Sequence, residues 1–210
     1  MSIAEKFEVI ADAVYEKGKE AEYDSFWDKY QNQGNKTNYT YAFYSTRWDD
    51  TIYNPKYDII ASNANNIFSQ TGIKNTLVPI DITNVTGGNS AGMFQYTSKL
   101  ETIKKLIVNE DSVYLNCFVS CTNLKNITFE GTIGRSISFA DSPLTVKSMK
   151  NVIEHLKDYS GDETNRGKYT LTFSDACWGN LEASGAAPDG DTWGNYIIKL
   201  GWAVSGYVED

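Results

Sequence analysis

The sequence predicts an α+β protein in which a short β-rich solenoid joins a helical N-terminal segment to a mixed α/β C-terminal cap. The main observation is a recurrence of phenylalanine at intervals of 25, 26, 24 and 21 residues: Phe43, Phe68, Phe94, Phe118 and Phe139. Similar apolar positions also follow two of these residues, with Leu100 and Ile103 after Phe94 and Leu124 and Ile127 after Phe118. Recurrence at this period indicates short coils that bury their apolar faces only by stacking on neighbours.

Residues 1–34 are predicted to be helical. Apolar residues spaced 4, 3 and 4 apart form the a/d seam of a coiled coil: Ile3, Phe7, Ile10 and Val14. A second amphipathic set, from Tyr23 to Tyr30, precedes Gly34. The first helix needs a partner, because isolated helices shorter than about 12–15 residues are marginal in water. Either it caps the first repeat, or its four seam residues carry oligomerisation or docking to a larger assembly; the two roles are compatible.

Residues 35–140 are predicted to form the solenoid. Short β-branched stretches at Ile80–Val85 and Ile127–Phe129 favour strands, and glycines such as Gly87, Gly131 and Gly134 favour the turns between coils. A period in the low twenties is the range of leucine-rich repeats, in which each coil contains one short strand and one turn.

The first unit of this region is unusually aromatic. Its rings crowd into nineteen residues: Tyr39, Tyr41, Phe43, Tyr44, Trp48, Tyr53 and Tyr57. Terminal repeats are expected to be atypical, so these rings can fill the exposed end of the core. Alternatively, some of them form an exposed patch for a sugar or protein ligand. On that hypothesis the candidate ligand-binding residues are Tyr39, Tyr41, Tyr44 and Trp48.

Residues 141–210 are predicted to form the C-terminal cap. Thr145 is placed to N-cap a helix that Gly161 closes, with an apolar face of Met149, Val152, Ile153 and Leu156. Alternation in Lys168–Phe173 predicts a strand. A loop rich in Gly, Ala and Asp then leads to a short helical stretch near Tyr196, and a final strand is expected at residues 202–204.

Composition excludes several function classes. A net charge of −8 argues against a nucleic-acid-binding protein. No apolar run approaches the roughly 20 residues that cross a bilayer, so we expect no membrane partner. The start of the chain lacks the apolar block of a secretory signal. We therefore expect a soluble protein that stays in a cytoplasm or is exported without a cleaved signal of that kind.

The sequence contains few residues that suggest catalysis. His155 is the only histidine, which removes catalytic arrangements that need this side chain unless a partner chain supplies it. The segment Asp189–Gly194 superficially suggests a calcium loop but has Trp193 at a ligand position, and Leu200 stands where the bidentate glutamate belongs. Cys117 and Cys121 are interpreted as small buried residues. We predict no catalytic residue, no metal and no cofactor.

Two units of the solenoid resemble the BspA-like leucine-rich repeat, whose coils read as Phe, small residues, Cys, polar residues, Leu and two spaced apolar positions. They are Met93–Ile103 and Cys117–Phe129. The segments Leu144–Leu156, Tyr169–Phe173 and Lys199–Trp202 resemble the C-terminal cap of many such proteins. The opening at Ala13–Asp28 is similar to the N-terminus of repeat proteins encoded in phage and prophage tail regions of gut bacteria.

The resemblance implies a non-enzymatic, tail-associated structural or receptor-binding protein located in the virion. Its partners would be other copies of the chain or other virion proteins, bound through the N-terminal helix, and a glycan or protein of the host surface. The alternative is a bacterial protein-interaction or adhesion module that acts as a monomer, at the cell surface or in the cytoplasm. A glycan depolymerase is a third hypothesis, for which paired carboxylates among 27 acidic residues are the only support.

Overall fold

A computed structural model describes Ser45, residues 59–76 and residues 79–206. The chain divides into two compact units, residues 1–38 and 39–210, and every described residue belongs to the second. The predicted assembly residues Ile3, Phe7, Ile10 and Val14 therefore lie outside the described residues. So do the predicted ligand-binding residues Tyr39, Tyr41, Tyr44 and Trp48.

The first sheet is parallel throughout. Its strands are β1 Ile59–Ile60, β2 Asn75–Thr76, β3 Ile80–Asp81, β4 Thr102–Val108 and β5 Asn126–Gly131. β4 is central: β2 and β3 pair with it on one side and β5 on the other, while β1 pairs with β3. A buried row of aligned residues crosses four strands: Ile59, Ile80, Leu106 and Phe129. These residues form the strand side of the core.

Stacked phenylalanine rings form the opposite side of the core. Successive centroids are 5.4, 6.0, 4.6 and 6.1 Å apart along Phe68, Phe94, Phe118, Phe139 and Phe173. Neighbouring ring planes are inclined by 11–29°, within the range of stacked aromatic pairs. We call these five residues the phenylalanine stack. Four of its members come from the spacing seen in the sequence, and the stack continues past residue 140 into the C-terminal segment.

Three of the five stacked phenylalanines, Phe68, Phe94 and Phe118, lie in turns with a recurring backbone geometry. Residues two before and two after the ring have φ of 53–64°, as at Asn66 and Gln70, Gly92 and Tyr96, and Asn116 and Ser120. Asn and Gly tolerate this left-handed conformation best, and they fill the first position each time. Ser45, two residues after Phe43, has the same sign of φ and donates to Ser69 O at 2.9 Å. Gln70 makes the corresponding bond to Gln95 O at 2.9 Å.

Small side chains donate hydrogen bonds to the backbone carbonyl groups inside this turn. Thr97 Oγ1 donates to Phe68 O at 2.8 Å, and the Cys121 thiol, 24 residues later in the chain, makes the same contact with Phe94 O at 3.1 Å. Cys117 Sγ donates to Ser90 O at 2.9 Å. Both cysteines are buried, which confirms their prediction as small core residues.

Helix α1, Val146–Glu154, closes the free edge of β5. Thr145 caps its N-terminus as predicted, since its hydroxyl accepts from Ser148 N, but the helix ends at Glu154, with His155 as its C-cap, rather than at Gly161. Ser148 Oγ and Asn151 Oδ1 accept the β5 amides of Ile127 and Phe129 at 3.0 and 2.6 Å. Helix side chains thus satisfy amides that would otherwise form an open sheet edge.

A second parallel sheet completes the C-terminal segment. Its strands are β6 Ile137–Phe139, β7 Thr170–Phe173 and β8 Ala203–Ser205, in that order, with helices α2 Asp175–Glu182 and α3 Trp193–Lys199. The strand predicted within Lys168–Phe173 is present as β7, the helix predicted near Tyr196 as α3, and the final predicted strand as β8. Helix α2 was not predicted. The predicted strand at Ile80–Val85 is only two residues long, because Val85 N bonds back to Ile82 O in a turn.

Candidate functional site

The outward face of the first sheet carries a row of registered side chains. Ile60, Asp81, Ile107 and Glu130 are aligned across β1, β3, β4 and β5. With strands about 4.8 Å apart, the row is about 14 Å long. Ile60 is 46% exposed and Glu130 is exposed, while Asp81 and Ile107 are half-buried. We call these four residues the strand-face row; it alternates aliphatic and carboxylate side chains.

Neighbouring groups hold the charged members of the row in place. Asp81 Oδ1 accepts from the amide and the hydroxyl of Thr83 at 2.8 and 2.6 Å. Lys105 Nζ lies 2.6 Å from Glu130 Oε2 in an ion pair that solvent partly screens. The two hydrogen bonds from Thr83 therefore orient the Asp81 carboxylate before any ligand binds, which lowers the entropic cost of recognition.

Exposed lysines cluster at the start of the same strands. Backbone bonds from Glu101 N to Lys74 O at 2.7 Å and from Lys125 N to Glu101 O at 3.0 Å align these three residues across successive coils. Lys104 N donates to Thr76 Oγ1 at 3.2 Å, which places Lys104 beside β2. Lys99 precedes Glu101 by two residues. We call Lys74, Lys99, Lys104 and Lys125 the lysine patch; all four are exposed, and none forms an ion pair with a described residue.

A cluster of cations and aromatic rings at the C-terminal segment differs from the lysine patch, because its charges are mostly paired. The Arg135 guanidinium donates to Asp111 Oδ1 at 2.6 Å and to the Tyr169 hydroxyl, and lies 5.2 Å from the Tyr169 ring centroid. The bond to Asp111 raises the pKa of Arg135. Lys157 pairs with Glu110 at 2.6 Å. These contacts join neighbouring coils and are structural.

The segment that superficially suggested a calcium loop holds a lysine instead. Lys199 Nζ lies 2.8 Å from a carboxylate oxygen of Asp189 and 2.8 Å from one of Asp191. Hydrogen bonds to Lys199 lower the pKa of Asp191 to about 2, and bonds to both carboxylates raise the pKa of Lys199 to about 12. In the described part of the chain, no group of three or more His, Cys, Asp and Glu residues is arranged to hold a metal ion.

The side chains of His155, Cys117 and Cys121 contact backbone carbonyl oxygens. His155 Nδ1 lies 2.7 Å from Gly131 O at the C-terminus of α1. Burial raises the pKa of both Cys117 and Cys121 to about 12, so their thiols stay protonated at neutral pH. A protonated, buried thiol is a poor nucleophile and metal ligand. No described helix is long and apolar enough to cross a membrane.

Neither the strand-face row nor the lysine patch was predicted from the sequence. A signal was present: Ile59, Ile80, Leu106 and Phe129 are aligned at offsets of 21, 26 and 23 residues, and the following residue in each strand belongs to the row. When the pairing of the strands is unknown, however, an isolated Ile-Asp or Phe-Glu dipeptide does not show which of its two side chains faces solvent.

Comparison with known proteins finds no matching family model, no matching curated protein and no matching solved structure. The architecture and the surface chemistry of this chain therefore carry the functional argument.

Proposed function

We propose that this chain is a BspA-like leucine-rich-repeat solenoid that serves as a non-enzymatic, phage or prophage tail-associated protein for host-surface recognition. The observation that carries the proposal is the strand-face row, a registered line of partly exposed aliphatic and carboxylate side chains on a parallel sheet. Two aliphatic residues beside oriented charges are suited to a protein surface, whose interfaces combine apolar contacts with polar ones. The virion location rests on the resemblance of the N-terminal segment.

Support for a rigid scaffold comes from the core behind the row. Members of the phenylalanine stack are at most 2% exposed, and side chains of this kind interdigitate with little free volume. Each coil also bonds to the next on the ring side, as in Phe68 N to Met93 O at 2.8 Å and Phe94 N to Cys117 O at 3.0 Å. The row is thus presented by elements fixed on both sides of the core, which suits recognition without rearrangement.

Multivalency is the proposed mechanism of attachment. In this proposal the seam residues Ile3, Phe7, Ile10 and Val14 bring several copies together, and each copy presents one strand face. Linked weak sites gain about 10²–10⁴ in avidity without any new contact. A monomeric interaction module would use the same face but would lack this gain, so the oligomeric state separates the two functions.

Binding of the fluorescently labelled intact chain to a panel of whole gut bacteria tests the proposal. Ile60→Arg places a charge in the row, whereas Ile198→Arg makes the same change on α3, where the parent residue is 42% exposed against 46% for Ile60. The proposal predicts saturable binding to at least one strain, lost in Ile60→Arg and kept in Ile198→Arg. Equal binding by the two variants, or no binding to any strain, would reject the strand face as the recognition surface.

A further inference from the structure

The lysine patch stands out because the protein around it is acidic. The whole chain has 27 acidic and 19 basic residues. Yet Lys74, Lys99, Lys104 and Lys125 gather at the start of β2, β4 and β5, with Glu101 as the acidic residue aligned among them. Ion pairing with described residues neutralises none of the four lysines. Such a local excess of positive charge attracts anions even on a protein of opposite net charge.

The registration of the patch sets a spacing for its charges. Lys74 and Lys125 belong to coils on either side of Glu101, because Glu101 N donates to Lys74 O and Lys125 N donates to Glu101 O. Two strand spacings separate their backbones by about 10 Å. A ligand with anionic groups at that separation contacts both lysines without placing an anion over Glu101.

We propose that the lysine patch binds a flexible linear polyanion, with anionic phosphodiester or carboxylate groups repeated along a surface polymer. This inference rests on the proposed host-surface function for its biological setting, and it names a ligand class for the start of the same strands. Lysines suit such a ligand, since each ammonium acts as a mobile point charge without the fixed geometry of a guanidinium. The strand-face row remains a separate contact further along the strands.

A nucleic acid is a less suitable ligand for this patch. Duplex DNA carries one charge per about 1.7 Å of axis, so a protein of net charge −8 is repelled by it at long range. Glu101 also adds a repulsive charge within the patch. Single-stranded nucleic acid is held largely by stacking on aromatic rings, and the four residues of the patch include no aromatic side chain. A polymer of lower charge density that makes few contacts at a time is repelled less by the protein and by Glu101, and its binding does not depend on stacking.

Equilibrium binding of the intact protein to three purified polymers, measured against salt concentration, tests the proposal. Poly(glycerol phosphate) and polygalacturonate represent the phosphodiester and carboxylate sources of the charge, and a DNA oligonucleotide represents nucleic acid. Lys74→Glu combined with Lys104→Glu reverses two charges in the patch. The matched control, Arg166→Glu combined with Lys168→Glu, reverses two exposed charges elsewhere and gives the same net charge.

The proposal predicts salt-sensitive binding to one or both of the first two polymers and weaker binding to DNA. The patch variant should bind about tenfold more weakly, the scale for losing two partly screened charge contacts and adding two repulsions, while the control changes less than about twofold by the same reasoning. Glu101→Gln should strengthen binding. Absence of binding to both polymers, equal loss in patch and control variants, or tighter binding to DNA would overturn the ligand assignment. The cell-binding comparison of Ile60→Arg with Ile198→Arg is independent of each of these outcomes.

Discussion

Phe94 and Phe118 lie one above the other, with ring centroids 6.0 Å apart and planes inclined by 11°. Beside the rings, Phe94 N donates to Cys117 O at 3.0 Å, so the same two coils are joined by a backbone bond and a ring contact. The chain returns to this geometry after 24 residues, once it has formed β4 and the turn that follows. Ring contact and sheet pairing therefore fix the spacing of successive chain segments on two sides of one core.

Phe118→Ala tests the contribution of the phenylalanine stack. Phe118 is 2% exposed and touches rings on both sides, at 6.0 Å from Phe94 and 4.6 Å from Phe139. Removal of a buried phenylalanine side chain should lower the free energy of unfolding by about 3–5 kcal/mol. Leu115→Ala, at a position 64% exposed in the same turn, should change it by less than about 0.5 kcal/mol. Urea unfolding followed by tryptophan fluorescence measures both, and equal effects would contradict a stack that stabilises the core.

Gly134→Ala tests how closely neighbouring coils approach. A Cβ at Gly134 would clash with the backbone carbonyl oxygen of Glu110, which cannot swing aside as a long side chain would. We expect a loss of about 1–3 kcal/mol in the free energy of unfolding from this overpacking. The matched change Gly88→Ala meets no atom within 4 Å and should be neutral or slightly stabilising. Thermal unfolding compares the two; an unchanged melting temperature for Gly134→Ala would show that the coils are further apart.

Asn151→Ala tests the closure of the β5 edge by α1. Asn151 Oδ1 accepts from Phe129 N at 2.6 Å. Loss of this acceptor leaves a partly buried amide without its partner and should cost about 1–3 kcal/mol of unfolding free energy. Lys147→Ala on the same helix exchanges one strong helix former for another and should be nearly neutral. Hydrogen exchange of the Phe129 amide should accelerate in Asn151→Ala alone; unchanged exchange would mean that another group protects this edge.

The Asp191 carboxylate should titrate far below its ordinary range. Hydrogen bonds to Lys199, Thr192 and Asn195 hold its pKa at about 2, against 3.8 for a free aspartate. A lowered pKa in the folded state means that the stabilisation is fully present above pH 3.8 and is lost as the pH falls toward about 2. Carbon-13 NMR of the carboxylates should give a midpoint near 2, and Lys199→Met should move it upward. A midpoint near 3.8 in the unsubstituted protein would rule out this Lys199 contact.

Local sequence signals predicted the elements whose stabilising residues are close together in the chain. Thr145 was recognisable as an N-cap, and its hydroxyl accepts from Ser148 N three residues later. The even spacing of the phenylalanines indicated stacking partners, although it missed Phe173, which follows Phe139 only after α1 and a long connection.

Elements stabilised by distant residues were not predictable in the same way. Helix α2 contains Gly179 and has a weak apolar periodicity; its buried Cys177, Trp178 and Leu181 pack against other parts of the fold. Trp178 Nε1, for instance, donates to Ser205 O at 2.9 Å. The strand-face row was hidden for a related reason, because Ile60 and Asp81 become neighbours only through strand pairing. The predicted ligand-binding aromatics lie outside the described residues and stay predictions.

Native mass of the intact chain in solution tests the central claim, that recognition is multivalent, most directly. The account predicts a dimer or trimer that Phe7→Asp converts to a monomer while the circular-dichroism signal of the strands persists, since a charge in the predicted coiled-coil seam opposes association. A matched change at an exposed position of the C-terminal segment, Ile198→Asp, should keep the oligomer. A monomeric intact chain, or an oligomer that Phe7→Asp leaves unchanged, would contradict multivalent presentation through the N-terminal segment.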